Sequence, residues 1–177
     1  MIYLWKQGVR FDRLVILGGE RDLDPQLENE KVLFAPESSP LKVRADWVRP
    51  VKVPTTEFEM MKMVIDQAVL PVDLKLVPIT YINAPKVKTD MGVLRRPNTS
   101  DTIKEWLATN PTAGSVLLFS NQPYVGYQHA CMKTYIPSTF EVETVGESAS
   151  TQEKIAILFD TLARWLYQEQ EYLKAKQ

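Results

Sequence analysis

Short apolar runs alternate along the chain with stretches whose apolar residues recur at helical spacing. Arg13–Leu17, RLVIL, stops at Gly18-Gly19. Such a run predicts a buried strand entering a tight loop, with glycine supplying the turn. Ser115–Phe119, SVLLF, is the strongest buried-strand signal and stops at Ser120-Asn121-Gln122-Pro123. Leu76–Ile82 predicts a further strand, at an edge or bulge because of Pro78. Phe140–Val145 alternates apolar and polar, which predicts a strand with one wetter face. Helical patterns lie between and after these runs. Thr56 and Glu59 form a capping box, followed by Phe58, Met61, Ile65 and Ala68 on one face, with an end expected near Leu70-Pro71. Asn98, Thr99 and Ser100 offer N-caps for a helix from Asp101 to Thr109. Pro123 suits a helix start, and Tyr124–Tyr135 follows as a helix despite Gly126. Ser150 and Glu153 make a second capping box for a C-terminal helix, 151–174, whose apolar face is Ile155, Leu158, Phe159, Leu162 and Leu166.

Strands alternating with helices predict βαβ units and an α/β fold. The specific expectation is a three-layer Rossmann-like sandwich around one mostly parallel sheet of about four to five strands. Leu14–Leu17, Leu117–Phe119 and Val142–Val145 should then share that sheet. Residues 20–54 are proline-rich and charged, and read as a long irregular excursion that could hide edge strands at Lys31–Phe34 and Trp47–Val53.

The length of 177 residues suits a single domain. Apolar residues at 45% and charged residues at 24% exclude a disordered or fibrous chain. Lys+Arg 21 against Asp+Glu 22 gives a net charge of −1, which argues against an electrostatic grip on nucleic acid or on an acidic membrane. One cysteine, Cys131, and one histidine, His129, cannot supply a usual zinc ligand set, and they point apart on a helix. No secretory signal or membrane-spanning run is evident, so the expected compartment is cytoplasmic. No cofactor and no oligomeric state is specified by these features.

In a parallel sheet, ligands gather at the carboxyl ends of the strands. Gly18, Gly19, Glu20 and Arg21 follow a strand there, and backbone amides plus charge could cradle an anion; the alternative is a plain turn. Neither a GxGxxG nor a P-loop motif is present. Glu57 is a second acid in the first turn of its helix, free to face a site where Glu59 is spent on capping; the alternative is dipole complementarity. Arg96, Asn98 and Thr99 could clamp and orient a phosphate or carboxylate, or serve only as a solvated arginine and helix caps. Ser120, Asn121 and Gln122 could wall a polar pocket, or cap the next helix. Trp165, Tyr167 and Tyr172 on the last helix read as packing or partner contacts.

Four segments together resemble the bacterial family that includes YdcF, SanA and ElyC. They are Leu17-Gly18-Gly19; Thr56-Glu57-Phe58-Glu59-Met60-Met61 before Leu70-Pro71; Arg96-Pro97-Asn98-Thr99-Ser100-Asp101-Thr102; and Phe119-Ser120-Asn121-Gln122-Pro123-Tyr124. They occur in the family's order over roughly residues 13–146. The family's Ser-Glu pair is Thr56-Glu57 here. Ile103 and Lys104 stand near the place of the third motif's acid, and Gln122-Pro123-Tyr124 replaces the His-x-x-Arg start. The resemblance implies a divergent, shortened member with a Rossmann-like fold and a polar pocket at the strand ends.

The leading functional expectation is a small-molecule-binding domain, a hydrolase or transferase acting on a phosphorylated or nucleotide-like, anionic ligand. Glu57 would be the base or ribose-binding acid, Arg21 and Arg96 would neutralise charge, and Asn98, Thr99, Ser120 and Asn121 would orient the ligand. The rival is a non-catalytic interaction or scaffold protein that uses its aromatic C-terminal helix.

Overall fold

The computed structural model describes residues 1–35, 37, 39, 41–148 and 153–176. The chain divides into two compact units, Met1–Asn98 and Thr99–Gln177. Both are mixed α/β.

The first unit opens with a short helix, α1 (Ile2–Lys6), which the apolar pattern did not flag. Strand β1 (Leu14–Gly19) pairs in parallel with β2 (Ile79–Ala84), Leu14 opposite Ile79 and Gly19 opposite Ala84. The ladder is closed at both ends: the Leu14 amide donates to the Pro78 carbonyl and the Glu20 amide to the Ala84 carbonyl, each at 2.9 Å. Helix α3 (Glu57–Gln67) forms the connection between the two strands, preceded by the one-turn helix α2 (Glu30–Leu33). Helix α3 stops at Ala68, two residues before the expected end. A 3₁₀ turn (Leu74–Leu76) takes the start of the predicted second strand, and the hairpin β3 (Val87–Lys88) with β4 (Leu94–Arg95) follows β2. The core of the unit is Trp5, Leu14, Ala68, Leu70 and Leu74.

Lys31–Phe34 is therefore helical, where a strand was expected. The Asn29 side chain accepts from the Lys31 and Val32 amides, and that cap decides the local structure. Trp47–Val53 forms no strand either.

The second unit contains helix α4 (Thr99–Ala108), strand β5 (Ser115–Asn121), helix α5 (Val125–Tyr135), strand β6 (Glu141–Glu147) and helix α6 (Ile155–Ala175). Strands β5 and β6 are parallel, with Ser115 opposite Glu141 and Asn121 opposite Glu147. Ile103, Trp106, Ala130, Cys131 and Met132 are buried, and the Trp106 and Phe140 rings meet edge-on with centroids 5.8 Å apart.

Three expectations change. The described strands form separate two-stranded ladders, so Leu14–Leu17 does not share a ladder with Leu117–Phe119 and Val142–Val145. Strand β5 is half-buried at best, despite its apolar run. Helix α6 begins at Ile155 with Lys154 as a cap that makes no side-chain bond; Ser150 of the expected capping box lies outside the described residues. Among the described residues, no helix is long and apolar enough to cross a membrane.

Candidate functional site

The carboxyl end of β1 is built by close approach. Gly18 and Gly19 are extended strand residues and not a left-handed turn. Their lack of a side chain admits neighbours instead. A Cβ on Gly18 would lie 3.2 Å from the Phe58 Cα and 3.3 Å from the Met61 sulfur, both on α3. A Cβ on Gly19 would lie 2.5 Å from the Pro97 ring. The glycine pair thus draws the first turn of α3 and the Arg96–Asn98 segment against the strand end.

The start of α3 is fixed by caps. The Thr56 hydroxyl accepts from the Glu59 amide at 3.3 Å, as the sequence predicts. Glu59 reaches back one residue further than a capping box requires: its carboxylate accepts from the Thr55 amide at 2.8 Å and from the Thr55 hydroxyl at 2.9 Å. The Lys52 ammonium donates to it at 2.6 Å. Lys52 first, then the Thr55 amide, hold the Glu59 carboxyl down to about 2. The Glu57 amide donates to the Arg21 carbonyl at 2.9 Å, which ties the helix start to the chain leaving β1.

Glu57 and Arg21 also meet through their side chains, at 3.5 Å. The Arg21 guanidinium donates to both oxygens of Glu28, at 2.9 and 2.7 Å. That two-pronged contact raises Arg21 above its ordinary value and lowers Glu28 below the usual carboxylate range. Glu28 in turn accepts from the Asp24 amide at 2.7 Å. Arg21 therefore stands between two acids. Glu28 escaped sequence reasoning, because only the return of the Asp24–Asn29 turn brings it to Arg21. The spacing of Asp24 and Asn29 as turn and cap residues was the available signal. Glu20 is engaged by the backbone: its carboxylate accepts from the Lys86 amide at 3.3 Å, while the Lys86 ammonium pairs with Asp22 at 2.7 Å.

Gly18, Gly19, Arg21 and Glu57 thus converge, and Pro97 carries its neighbours Arg96 and Asn98 to Gly19. Arg96 and Asn98 are exposed. The other sequence candidates belong to the second unit. The Ser120 hydroxyl and the Asn121 side-chain amide donate to the adjacent carbonyls at 3.4 and 3.5 Å, and Gln122 is exposed. None of them caps α5 through its side chain, since that helix has Tyr124 at its N-cap and no side-chain cap bond. The Thr99 carbonyl accepts from the Thr102 hydroxyl at 2.9 Å. His129 pins α5 to β6 through the Thr144 hydroxyl at 2.9 Å. Cys131 is buried, and burial pushes its thiol up. The neighbouring Tyr127 hydroxyl is raised to about 12, by burial first and Cys131 second.

Among the described residues, no cluster of three or more His, Cys, Asp or Glu is arranged to hold a metal ion. A concavity of about 750 Å³ in the first unit is lined by Pro25, Asn29, Glu30, Phe34 and Arg49, among others, and by none of the predicted site residues. No protein-family model, no curated protein and no solved structure matches the chain.

Proposed function

We propose that the chain binds a small anionic ligand, phosphorylated or nucleotide-like, at the carboxyl end of β1, and acts on it as a hydrolase or transferase. The observation that carries this reading is the convergence of Gly18, Gly19, Arg21 and Glu57 at one strand end. The group an anion would draw on is the Arg21 guanidinium, since the Glu57 and Glu59 amides are taken by the Arg21 carbonyl and the Thr56 hydroxyl and the space beside the glycines by Phe58 and Pro97. Glu57 would be the base or the acid that holds a ribose hydroxyl. Arg21 would neutralise charge with Arg96, and Asn98 would orient the ligand. Because Arg21 is engaged by Glu28 and Glu57, an incoming anion must compete with these acids for it. The motif likeness to the YdcF, SanA and ElyC family supports the same reading. The finer fold we propose is a three-layer Rossmann-like sandwich.

A panel of nucleotides and sugar phosphates, read by thermal shift, tests it. A ligand at a hundred times its Kd should add about 2.7 kcal/mol of stability. Glu28→Gln should tighten binding by freeing Arg21, and Glu57→Gln should weaken binding or abolish turnover. No stabilisation by any member of the panel would count against the proposal. The second reading, an interaction protein, is favoured by one specific observation: the apolar face of α6 is exposed.

A further inference from the structure

Arg21 stands in a charge network that an arriving anion unbalances. Its Nη1 and Nη2 donate end-on to the two oxygens of Glu28, at 2.9 and 2.7 Å. The Asp24 amide holds Glu28 a second time, at 2.7 Å, so this acid stays on the guanidinium. The Nε side is held less closely, with the Glu57 carboxylate 3.5 Å away. The side chains of Arg21 and Glu28 are only 23 and 24% exposed, so water screens them less than it does a surface pair. An anion therefore reaches Arg21 by displacing Glu57 from Nε, the weaker of the two contacts. The displaced acid stays beside the site. Its amide donates to the Arg21 carbonyl at 2.9 Å, and the Thr56 cap fixes the first turn of α3. The neighbouring ammonium groups are already engaged, Lys86 with Asp22 at 2.7 Å and Lys52 with Glu59 at 2.6 Å. One guanidinium would then face two carboxylates as well as the charge of the ligand.

We propose that the ligand supplies the missing positive charge itself, as an amino group a few bonds from its phosphate. The inference rests on the reading of the β1 edge as an anion site, and narrows the ligand to a phosphorylated amine. The phosphate takes the Nε side of Arg21, and the ammonium pairs with the displaced Glu57 carboxylate. Nε and that carboxylate are 3.5 Å apart, so the two charges of the ligand must be joined by a short carbon chain. A purely anionic ligand of the same shape would lie against an unpaired Glu57, and like charges side by side weaken binding. A metal ion is a poorer source of the charge: among the described residues, no cluster of three or more His, Cys, Asp or Glu is arranged to hold one.

Matched pairs of compounds, titrated by calorimetry into the full chain, test the inference. Phosphoethanolamine should bind about tenfold more tightly than hydroxyethyl phosphate, and glucosamine 1-phosphate about tenfold more tightly than glucose 1-phosphate. One ammonium–carboxylate contact at a partly exposed site separates the members of each pair. Glucosamine 6-phosphate, whose amino group lies far from its phosphate, should gain no such advantage over glucose 6-phosphate. Glu57→Gln should abolish the advantage in the first two pairs while its melting temperature stays nearly unchanged. Equal binding within the first two pairs, an advantage that survives Glu57→Gln, or the same advantage in the 6-phosphate pair would overturn the inference and leave the anion site standing. No binding by any of these compounds would overturn the site and the inference together.

Discussion

The β1–α3–β2 and β5–α5–β6 segments follow one plan, a parallel strand pair joined through a helix, and solve its close contacts in opposite ways. In the first, glycine lies in the strand that precedes the helix, and α3 comes down onto Gly18. In the second, glycine lies in the helix and in the following strand: Gly126 makes room for Trp165, and Gly146 makes room for Val125 and the Ser120 carbonyl. The helix starts differ as well. Thr56, Glu59, Lys52 and Thr55 fasten α3, while α5 begins at Tyr124 with no side-chain cap. The β1 end carries an arginine between two acids, while the β5 end carries uncharged amides and a hydroxyl with Glu147 of β6 opposite Asn121. The same topology therefore yields close packing at both edges, joined in the first unit to a capped helix start and an arginine between two acids.

The largest effect is expected at Gly146. A Cβ at position 146 would lie 2.5 Å from a Val125 methyl and 2.9 Å from the Ser120 carbonyl oxygen. Gly146→Ala should therefore cost about 2–3 kcal/mol by overpacking, measured by denaturant unfolding. Gly18→Ala meets its nearest neighbour at 3.2 Å and should cost less, about 1 kcal/mol. Equal costs at the two positions would erase the contrast. Thr56→Ala should cost about 1 kcal/mol through the lost cap.

The electrostatic side is read by acid. Glu59 is lowered from an ordinary 4.5 to about 2 in the folded chain. The folded state holds this proton less tightly, so the stability from Glu59 is fully present above about pH 4.5 and is lost as pH falls toward 2. Glu28 acts in the same direction through Arg21. Glu59→Gln should flatten the fall of melting temperature across that window; an unchanged slope would mean that the Lys52 and Thr55 contacts do not persist in solution. The smallest effect belongs to Glu57→Gln, a few tenths of a kcal/mol in stability, because a first-turn charge and a partly exposed ion pair are lost. A loss of several kcal/mol would instead make Glu57 a structural residue.

Local signals in the sequence carry much of this. The apolar runs locate β1, β5 and β6, and Thr56 with Glu59 marks the start of α3 to the residue. Strand partnership is not local, and no run of residues says that β1 pairs with β2 in a ladder apart from β5 and β6. The periodicity of α6 identifies its apolar stripe but not the face that packs. Polar Thr161 and Gln168 take that role, because each finds a partner: Thr161 the Ile157 carbonyl, Gln168 the Thr134 hydroxyl. At the candidate site, Gly18-Gly19 and Glu57 were legible from position. The reason for the glycines was not, since it lies in Phe58 and Pro97, far along the chain. Glu28 was hidden for another reason: it lies seven residues on from Arg21, and only the Asp24–Asn29 turn brings it back.

The charged edge of β1 is the ligand site proposed here. Amide chemical-shift mapping of the whole chain with the nucleotide and sugar-phosphate panel tests it most directly. A binding member should shift the Gly18, Gly19, Arg21 and Glu57 amides together, saturably, and more weakly in Glu57→Gln. Saturable shifts that leave those four amides unmoved, or no shifts with any member of the panel, would contradict it.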